Sequence, residues 1–465
     1  MGRTLFVEES LEEYCSSYVG TEKQQVGLVL GQVSAAKDFA IHFARCPDPV
    51  EDEVEIEMSS SDDDVVVISN KQKKKDAGKA VDEIDNRWVI EHARQVNRML
   101  TGGISVVGMY VICGPQFLNQ NLAKLKQCLA SVHKRTEKNK YIRRSLPHSD
   151  RYLIHFCTSS RKLTCKTIDL HDDQSSLRPA EFKFQQVLSG WTSVSCSVDV
   201  QIDFVVPEAH EAHSLEQRLI QGCQEGLDEI WNSYAVLGSS LVDEDAPIVV
   251  NIKDKGKPKT LNNSVDLVLH SEVKGSKSPC VRKENSMGHV KFIGSLCSKA
   301  YVHSKATFGD AVKALKADII RSILARTELL CEEAEINNIY HMDEWSLVSP
   351  TRVFAPFKKS GIFLSDYIFK DEVAADSIGR FLELLNITPT EDCLSYLEHS
   401  PDSAEVSMML QQGDRSPDMH SEIGSELSSS FREEEPQGKK VVGIAIAALA
   451  ALFAAALNFM WNDSK

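Results

Sequence analysis

Basic residues are in short supply. The chain of 465 residues carries 52 lysines and arginines against 67 aspartates and glutamates, a net charge of −15. No basic face compensates that balance, which argues against a nucleic-acid partner. Paired cysteines are missing as well: the twelve cysteines are scattered without a single C-x-x-C. In a cytosol-facing chain this points to reduced, partly buried thiols rather than disulfides or zinc, and no cofactor is expected. The N-terminus has no signal-peptide core, because Arg3, Glu8, Glu9, Glu12 and Glu13 interrupt it. Phe6 stands where a myristoylation motif wants Ser or Thr.

What is present stands out against those gaps. Val441 to Trp461 (VVGIAIAALAALFAAALNFMW) runs for twenty-one residues without a charge. As a helix at about 1.5 Å per residue it covers roughly 31 Å, close to the hydrocarbon thickness of a bilayer. Its strongly apolar side chains favour insertion by roughly 3 to 5 kcal/mol. Lys439 and Lys440 precede it, and Trp461 closes it where an aromatic sits among headgroups. The reading is a single C-terminal anchor, inserted after translation because only Asn462 to Lys465 follow, with the bulk of the chain cytosolic. The sequons at Asn262 and Asn386 then stay unglycosylated. Gly443, Ala447, Ala451 and Ala455 recur every four residues, a spacing that lets two helices approach closely, or that an Ala-rich span shows by chance.

Hydrophobic periodicity predicts an α/β (α+β) protein. Strands are expected over residues 3–7, 25–32, 39–44, 104–112, 151–158, 163–170 and 191–206, with helices over 11–19, 85–100 and 117–132. Residues 47–83 read as an exposed insertion, and residues 1–207 as one domain. A second α/β portion spans 208–387: a helix over 211–236, a flexible loop over 244–286, a strand over 290–304, a helix over 309–333, and a strand pair followed by a helix through 385. Residues 388–440, rich in Ser, Glu, Asp and Pro, read as a disordered stalk before the 441–461 anchor.

Three patterns in the first domain together resemble the MPN fold of the JAMM metalloproteases. They are Gly27-Leu28-Val29-Leu30-Gly31, the helix leading into Val106-Val107-Gly108-Met109-Tyr110, and the helix right after that strand. An active JAMM site uses H-x-H and a later Asp as zinc ligands, with a Glu as general base on the metal-bound water. Here the Glu position is Gln24, the two His positions are Val111 and Cys113, the Asp position is Lys124, and the supporting Ser position is Asn121. One plausible donor is not a zinc site, so no metal and no hydrolysis are expected there.

A longer set of patterns is similar to the odr-four family, named for abnormal odorant responses. It comprises MGRT, Gly27 to Gly31, WVIEHARQVNRMLTGG (88–103), DLHDDQSSLRPA (169–180), AYVH (300–303), DAVKALK (310–316), RVFAP (352–356) and the tail. This resemblance implies a protein of the endoplasmic reticulum membrane that helps fold or traffic a subset of G-protein-coupled odorant receptors. It also implies pairing with the cysteine protease specific for the ubiquitin-fold modifier.

Weaker signals stand beside these. His210-Glu211-Ala212-His213 is one residue short of a zincin motif, and a solvated helix start explains it. Cys157 with His155, or Cys165 with His171, could pair nucleophile and base, but each sits in a strand with no orienting acid, so buried structural thiols are the plainer reading. Val65, Val66, Val67 and Ile68 after an acidic lead-in suit strand addition to a ubiquitin-like modifier, or an ordinary strand. The function expected is a non-enzymatic, tail-anchored adaptor. The alternatives are a membrane chaperone acting through its helix, or an enzyme with an unrecognised site in residues 208–387.

Overall fold

A computed structural model describes residues 3–21, 24–35, 37–48, 85–172, 174–207, 214–237, 240–248, 263–268, 286–336, 346–358, 360–398 and 407–410. The first elements are β1 (Thr4–Glu8), α1 (Ser10–Ser16), β2 (Gln25–Gln32), β3 (Asp38–Arg45), α2 (Asn86–Met99) and β4 (Ser105–Cys113). They continue with α3 (Pro115–Thr136), α4 (Lys140–Ser145), β5 (Asp150–Cys157), β6 (Leu163–Asp169), β7 (Arg178–Pro179) and β8 (Glu181–Gln185). The strands form an eight-stranded mixed sheet in the order β7-β6-β5-β4-β2-β3-β1-β8. At its centre β4 is buried throughout, between antiparallel β2 and parallel β5. Its unbroken apolar run fits a strand covered on both faces. Val107, Tyr110 and Ile112 pack with Leu11 and Cys15 of α1 on one side. Met109, Val111 and Cys113 pack with Val96 of α2 and Leu125 and Leu129 of α3 on the other. The glycine of the GLVLG motif at 31 lies at a register shift against β3, where a Cβ would stand 1.8 Å from the Phe39 carbonyl oxygen.

The second half contributes β9 (Trp191–Pro207), α5 (Leu215–Gly222), α6 (Gln224–Asn232), β10 (Tyr234–Leu237), β11 (Ser240–Leu241), β12 (Asn263–Val268), β13 (Ser286–His303) and α7 (Phe308–Ile336). It ends with β14 (Ser346–Val348), β15 (Thr351–Phe357), β16 (Ile362–Ile368), α8 (Ala374–Leu385), β17 (Ser395–Tyr396) and β18 (Ser407–Leu410). A seven-stranded sheet, β11-β10-β12-β9-β13-β18-β14, is built around the long antiparallel ribbon of β9 and β13. α5, α6 and α7 cover it, with Leu219, Leu227, Leu315, Ile319 and Ile323 in one core. The small sheet β16-β15-β17 and α8 close over the first sheet instead: Phe357, Leu364, Phe381 and Leu385 share a core with Leu30 and Phe39.

The two sheets meet at the TGG turn after α2. Gly102 N–H donates to the Lys299 carbonyl and its own carbonyl accepts from Tyr301 N–H, both at 2.9 Å. Gly103 takes φ +78°, and a Cβ there would stand 2.0 Å from the Tyr301 carbonyl oxygen. Gln32 stitches the same seam, donating to the carbonyls of Gly103 (3.0 Å) and Tyr301 (2.9 Å) and accepting from His303 N–H. Buried Arg321 of α7 donates to the carbonyls of Leu100, Thr101 and Ile104 at 3.1–3.3 Å.

Several expectations differ from this architecture. β9 lies within residues 1–207 yet pairs in the second sheet, because its partner β13 runs beside it from Trp191 to Pro207. The helix expected over 211–236 divides at Cys223 into α5 and α6, and Tyr234–Leu237 pairs with β12 as a strand. β12 itself falls inside the 244–286 loop. The 388–440 stalk begins with ordered structure: Leu394 is buried, β17 pairs with β15, β18 pairs with β13 and β14, and the Glu398 carboxylate accepts from Arg326 and from the Arg352 N–H. The modifier-binding stretch Val65–Ile68, the His210–His213 motif and the anchor residues from Val441 to Trp461 lie outside the described residues. Among the described residues no helix is long and apolar enough to cross a membrane.

Candidate functional site

The C-terminal end of β4 carries Val111 and Cys113, two of the positions aligned with the JAMM ligands. β2 pairs Gln25 with Ile112, which sets Gln24 at the strand end beside Cys113. Val111 and Cys113 are each 1% exposed and face α3, whose first turn begins immediately after Gly114. Lys124 and Asn121 lie on α3, and Asn121 spends its amide on the Phe117 carbonyl of its own helix at 3.1 Å. The residues present do not fit a zinc ion. Valine has no donor, glutamine is no general base, and lysine places a cation where a ligand belongs. Among the described residues no group of three or more His, Cys, Asp or Glu side chains could hold a metal ion.

The parallel β5 completes the site. It aligns His155 with Val111 and Cys157 with Cys113, so the two thiols end neighbouring strands on the α3 side. Burial pushes the Cys113 thiol up to about 12, with Cys157 adding to the rise and the Leu118 N–H opposing it. Burial acts to raise Cys157 too, but hydroxyls and N–H groups of Ser159 and Ser160 outweigh it and bring that thiol down to about 7. The Ser159 Oγ lies 3.3 Å from its Sγ. By contrast, burial lifts Cys15, Cys128, Cys165 and Cys223 to about 12.

Neither Cys157 with His155 nor Cys165 with His171 assembles as a nucleophile–base pair. The His155 Nε2 lies 3.3 Å from the Cys113 carbonyl and its Nδ1 3.4 Å from the Thr164 hydroxyl, so both ring nitrogens are engaged away from the Cys157 thiol. Burial lowers the His155 pKa, the Cys113 carbonyl opposing. Cys165 packs in the α1-side core, whereas the His171 ring lies 5.9 Å from that of His133.

A second constellation was not legible in the sequence. Asp318 of α7 and Arg352 of β15, both fully buried, form a bidentate pair at 2.9 and 3.0 Å. Asp318 also accepts from the Ser298 hydroxyl (2.8 Å) and the Lys299 N–H (3.2 Å), and Arg352 donates to the Ser365 hydroxyl (3.0 Å). Burial works to lower the Arg352 pKa, yet the Asp318 charge holds it above its ordinary value. Nearby, Arg94 and Arg98 of α2 pair with Glu328 and Glu332 of α7. These charges join the two halves and leave no free reactive group.

The protein is thus of a mixed α/β class, two sheets joined through a glycine turn and buried charges, with a strand-end site lacking a metal-ligand set. The family model described as ODR4-like, odorant response abnormal 4-like, matches residues 27–395, and the chain belongs to that family. Similar proteins include the human protein odr-4 homolog, 30% identical over 427 residues and covering 89% of each chain. The mouse protein odr-4 homolog is 30% identical over 480 residues, 99% of each chain. Among solved structures, the crystal structure of UfSP from C. elegans aligns at a TM-score of 0.40 and 9% identity, over 87% of this chain and 61% of that one, a likeness too slight to argue from.

Proposed function

We propose that this chain is a non-enzymatic adaptor. In this reading an MPN-like sheet, held at the endoplasmic reticulum membrane by residues 441–461, recruits a cysteine protease specific for the ubiquitin-fold modifier. The same assembly supports folding or trafficking of a subset of G-protein-coupled odorant receptors. The observation that carries the adaptor reading is the sequence itself, in which Gln24, Val111, Cys113 and Lys124 align with the positions a hydrolase would fill with a base and three ligands. A scaffold that keeps its sheet while such a site is vacated retains a surface for docking. Membership of a family described by abnormal odorant responses supports the receptor side. The uncharged run at 441–461 supports the anchor.

The deciding experiment isolates the full chain from membranes and identifies what accompanies it in stoichiometric amount. A modifier-specific protease is expected, and deleting residues 441–465 should release both proteins into the soluble fraction. Isolation without that protease, or cleavage of a modifier conjugate by the purified chain alone, overturns the proposal.

A further inference from the structure

Beyond docking, the strand-end site holds two thiols whose placement has a chemistry of its own. Cys113 and Cys157 are the last residues of adjacent parallel strands and are direct register partners. Neighbouring strands lie about 4.8 Å apart, within the roughly 4.4–6.8 Å Cα separation that a disulfide bridges. Both side chains face α3, since Val111 and Cys113 alternate onto that side and His155 and Cys157 match them. Each sulfur is met by N–H donors: Leu118, in the first turn of α3, reaches Cys113, while Ser159 and Ser160 reach Cys157 from the turn after β5. Such donors stabilise a thiolate, the reactive form of cysteine. Cys157 is buried at 5% exposed, but Ser159 and Ser160 beside it are exposed, so the turn is the side from which a small oxidant would approach.

We propose that Cys113 and Cys157 form a reversible peroxide-sensitive dithiol, a modification site in which Cys157 is the attacking thiol and Cys113 the resolving one. The Cys157 thiolate attacks one oxygen of hydrogen peroxide; the S–O bond forms, the O–O bond breaks, and hydroxide leaves. Sulfur is oxidised by two electrons and peroxide reduced by two. The Cys113 sulfur then attacks the Cys157 sulfenic sulfur, the S–O bond breaks, and the departing hydroxide takes the Cys113 proton away as water. Oxidation helps the second step, because it removes the neighbouring thiolate charge that disfavours ionisation of Cys113. The product ties β4 to β5 beside the start of α3. A thiol reductant reverses it.

The test exposes the full-length protein to graded hydrogen peroxide, alkylates free thiols under denaturing conditions, and maps cysteines by mass spectrometry without reduction. The expected result is a cross-linked peptide pair carrying Cys113 and Cys157, lighter by two hydrogens, with loss of two alkylatable thiols and recovery on reduction. In Cys113→Ser a cyclic-diketone probe for sulfenic acid should label Cys157 several-fold more strongly, whereas Cys157→Ser should leave Cys113 alkylatable at every dose. Melting under reducing conditions checks that both variants fold. Sulfinic acid on Cys157 with Cys113 still free, a cross-link through another cysteine, or an unreacted pair at doses that oxidise the exposed Cys393 overturns the proposal.

Discussion

Replacing Asp318 with Asn tests how the two halves are held together. The substitution keeps the side-chain shape and one acceptor oxygen while removing the charge that Arg352 faces at 2.9 and 3.0 Å. Arg352 is 0% exposed and keeps its proton, so an uncompensated cation is left in the core. Breaking a buried pair in this way costs about 3–5 kcal/mol. For a folded unit of this size each kcal/mol moves the melting temperature by about 2–4 °C, so Asp318→Asn should melt roughly 6–20 °C lower by scanning calorimetry. Combining Asp318→Leu with Arg352→Met removes both charges and should recover part of the loss. The Lys299 N–H, which now donates to Asp318 at 3.2 Å, would keep it below the wild type by about 1–3 kcal/mol. A single variant melting within about 2 °C of the wild type, or a double variant as unstable as the two singles added, would refute the reasoning.

Three further outcomes follow from the geometry. Gly103→Ala should lower stability by at least about 1–3 kcal/mol, because it combines a left-handed backbone with a clash at the Tyr301 carbonyl; Gly379→Ala, whose added methyl meets nothing within 4 Å inside α8, should gain about 0.5–1 kcal/mol, and equal melting shifts in the pair would count against the seam. The imidazoles of His42 and His92 meet the last carbonyls of α8, Leu385 at 2.6 Å and Leu384 at 2.9 Å, and burial holds both pKa values down at about 4, the carbonyls opposing. The unfolded chain therefore takes up these protons first: no penalty applies above pH about 6.5, and as pH falls from there towards 4 stability drops by about 1.4 kcal/mol per unit for each imidazole. Hydrogen exchange in α8 should accelerate between pH 7 and 5.5 beyond its intrinsic rate change, and His92→Gln should blunt that response. Ending the chain at residue 387 should destabilise it by several kcal/mol relative to ending it at 410, because Leu394 leaves the core and the buried Arg326 loses Glu398; indistinguishable urea midpoints would assign 388–398 to the stalk after all.

Much of the first sheet could be read from the sequence, for reasons that are local. β2, β3 and β4 are short apolar runs bounded by turn residues, and α2 is announced by the Asp85 cap and ended by the glycine pair. The second half was less legible because its order comes from pairing across distance. β12 carries only six residues and gains its place from β10 and β9. Tyr234–Leu237 continues a helical pattern until a partner strand makes it extended. Residues 391–398 look like stalk by composition, and their order shows only in distant partners: buried Leu394, β17 on β15, and Glu398 meeting Arg326 and the Arg352 backbone. The departures from the JAMM pattern at Gln24, Val111, Cys113 and Lys124 are matters of sequence alone. The contact of Cys113 with Cys157 is not legible there, since a separation of 44 residues says nothing until β4 and β5 are found to be parallel and in register.

These two kinds of legibility explain the family motifs in physical terms. The glycines of GLVLG and TGG stand where another backbone passes at a distance that excludes a Cβ, so the sequence must spell them out one by one. The charges at RVFAP and just past DAVKALK work differently. Asp318, two residues past DAVKALK, and Arg352 of RVFAP are 34 residues apart and acquire meaning only as a pair. The glycine turn bonds the entry of β4 to β13, and the pair adds a second tie between α7 and β15. Cys113 and Cys157 lie at the far end of β4 from the glycine turn, and none of the groups that hold the halves together belongs to that strand-end site. Substitutions at the strand end therefore leave the ties between the two sheets in place.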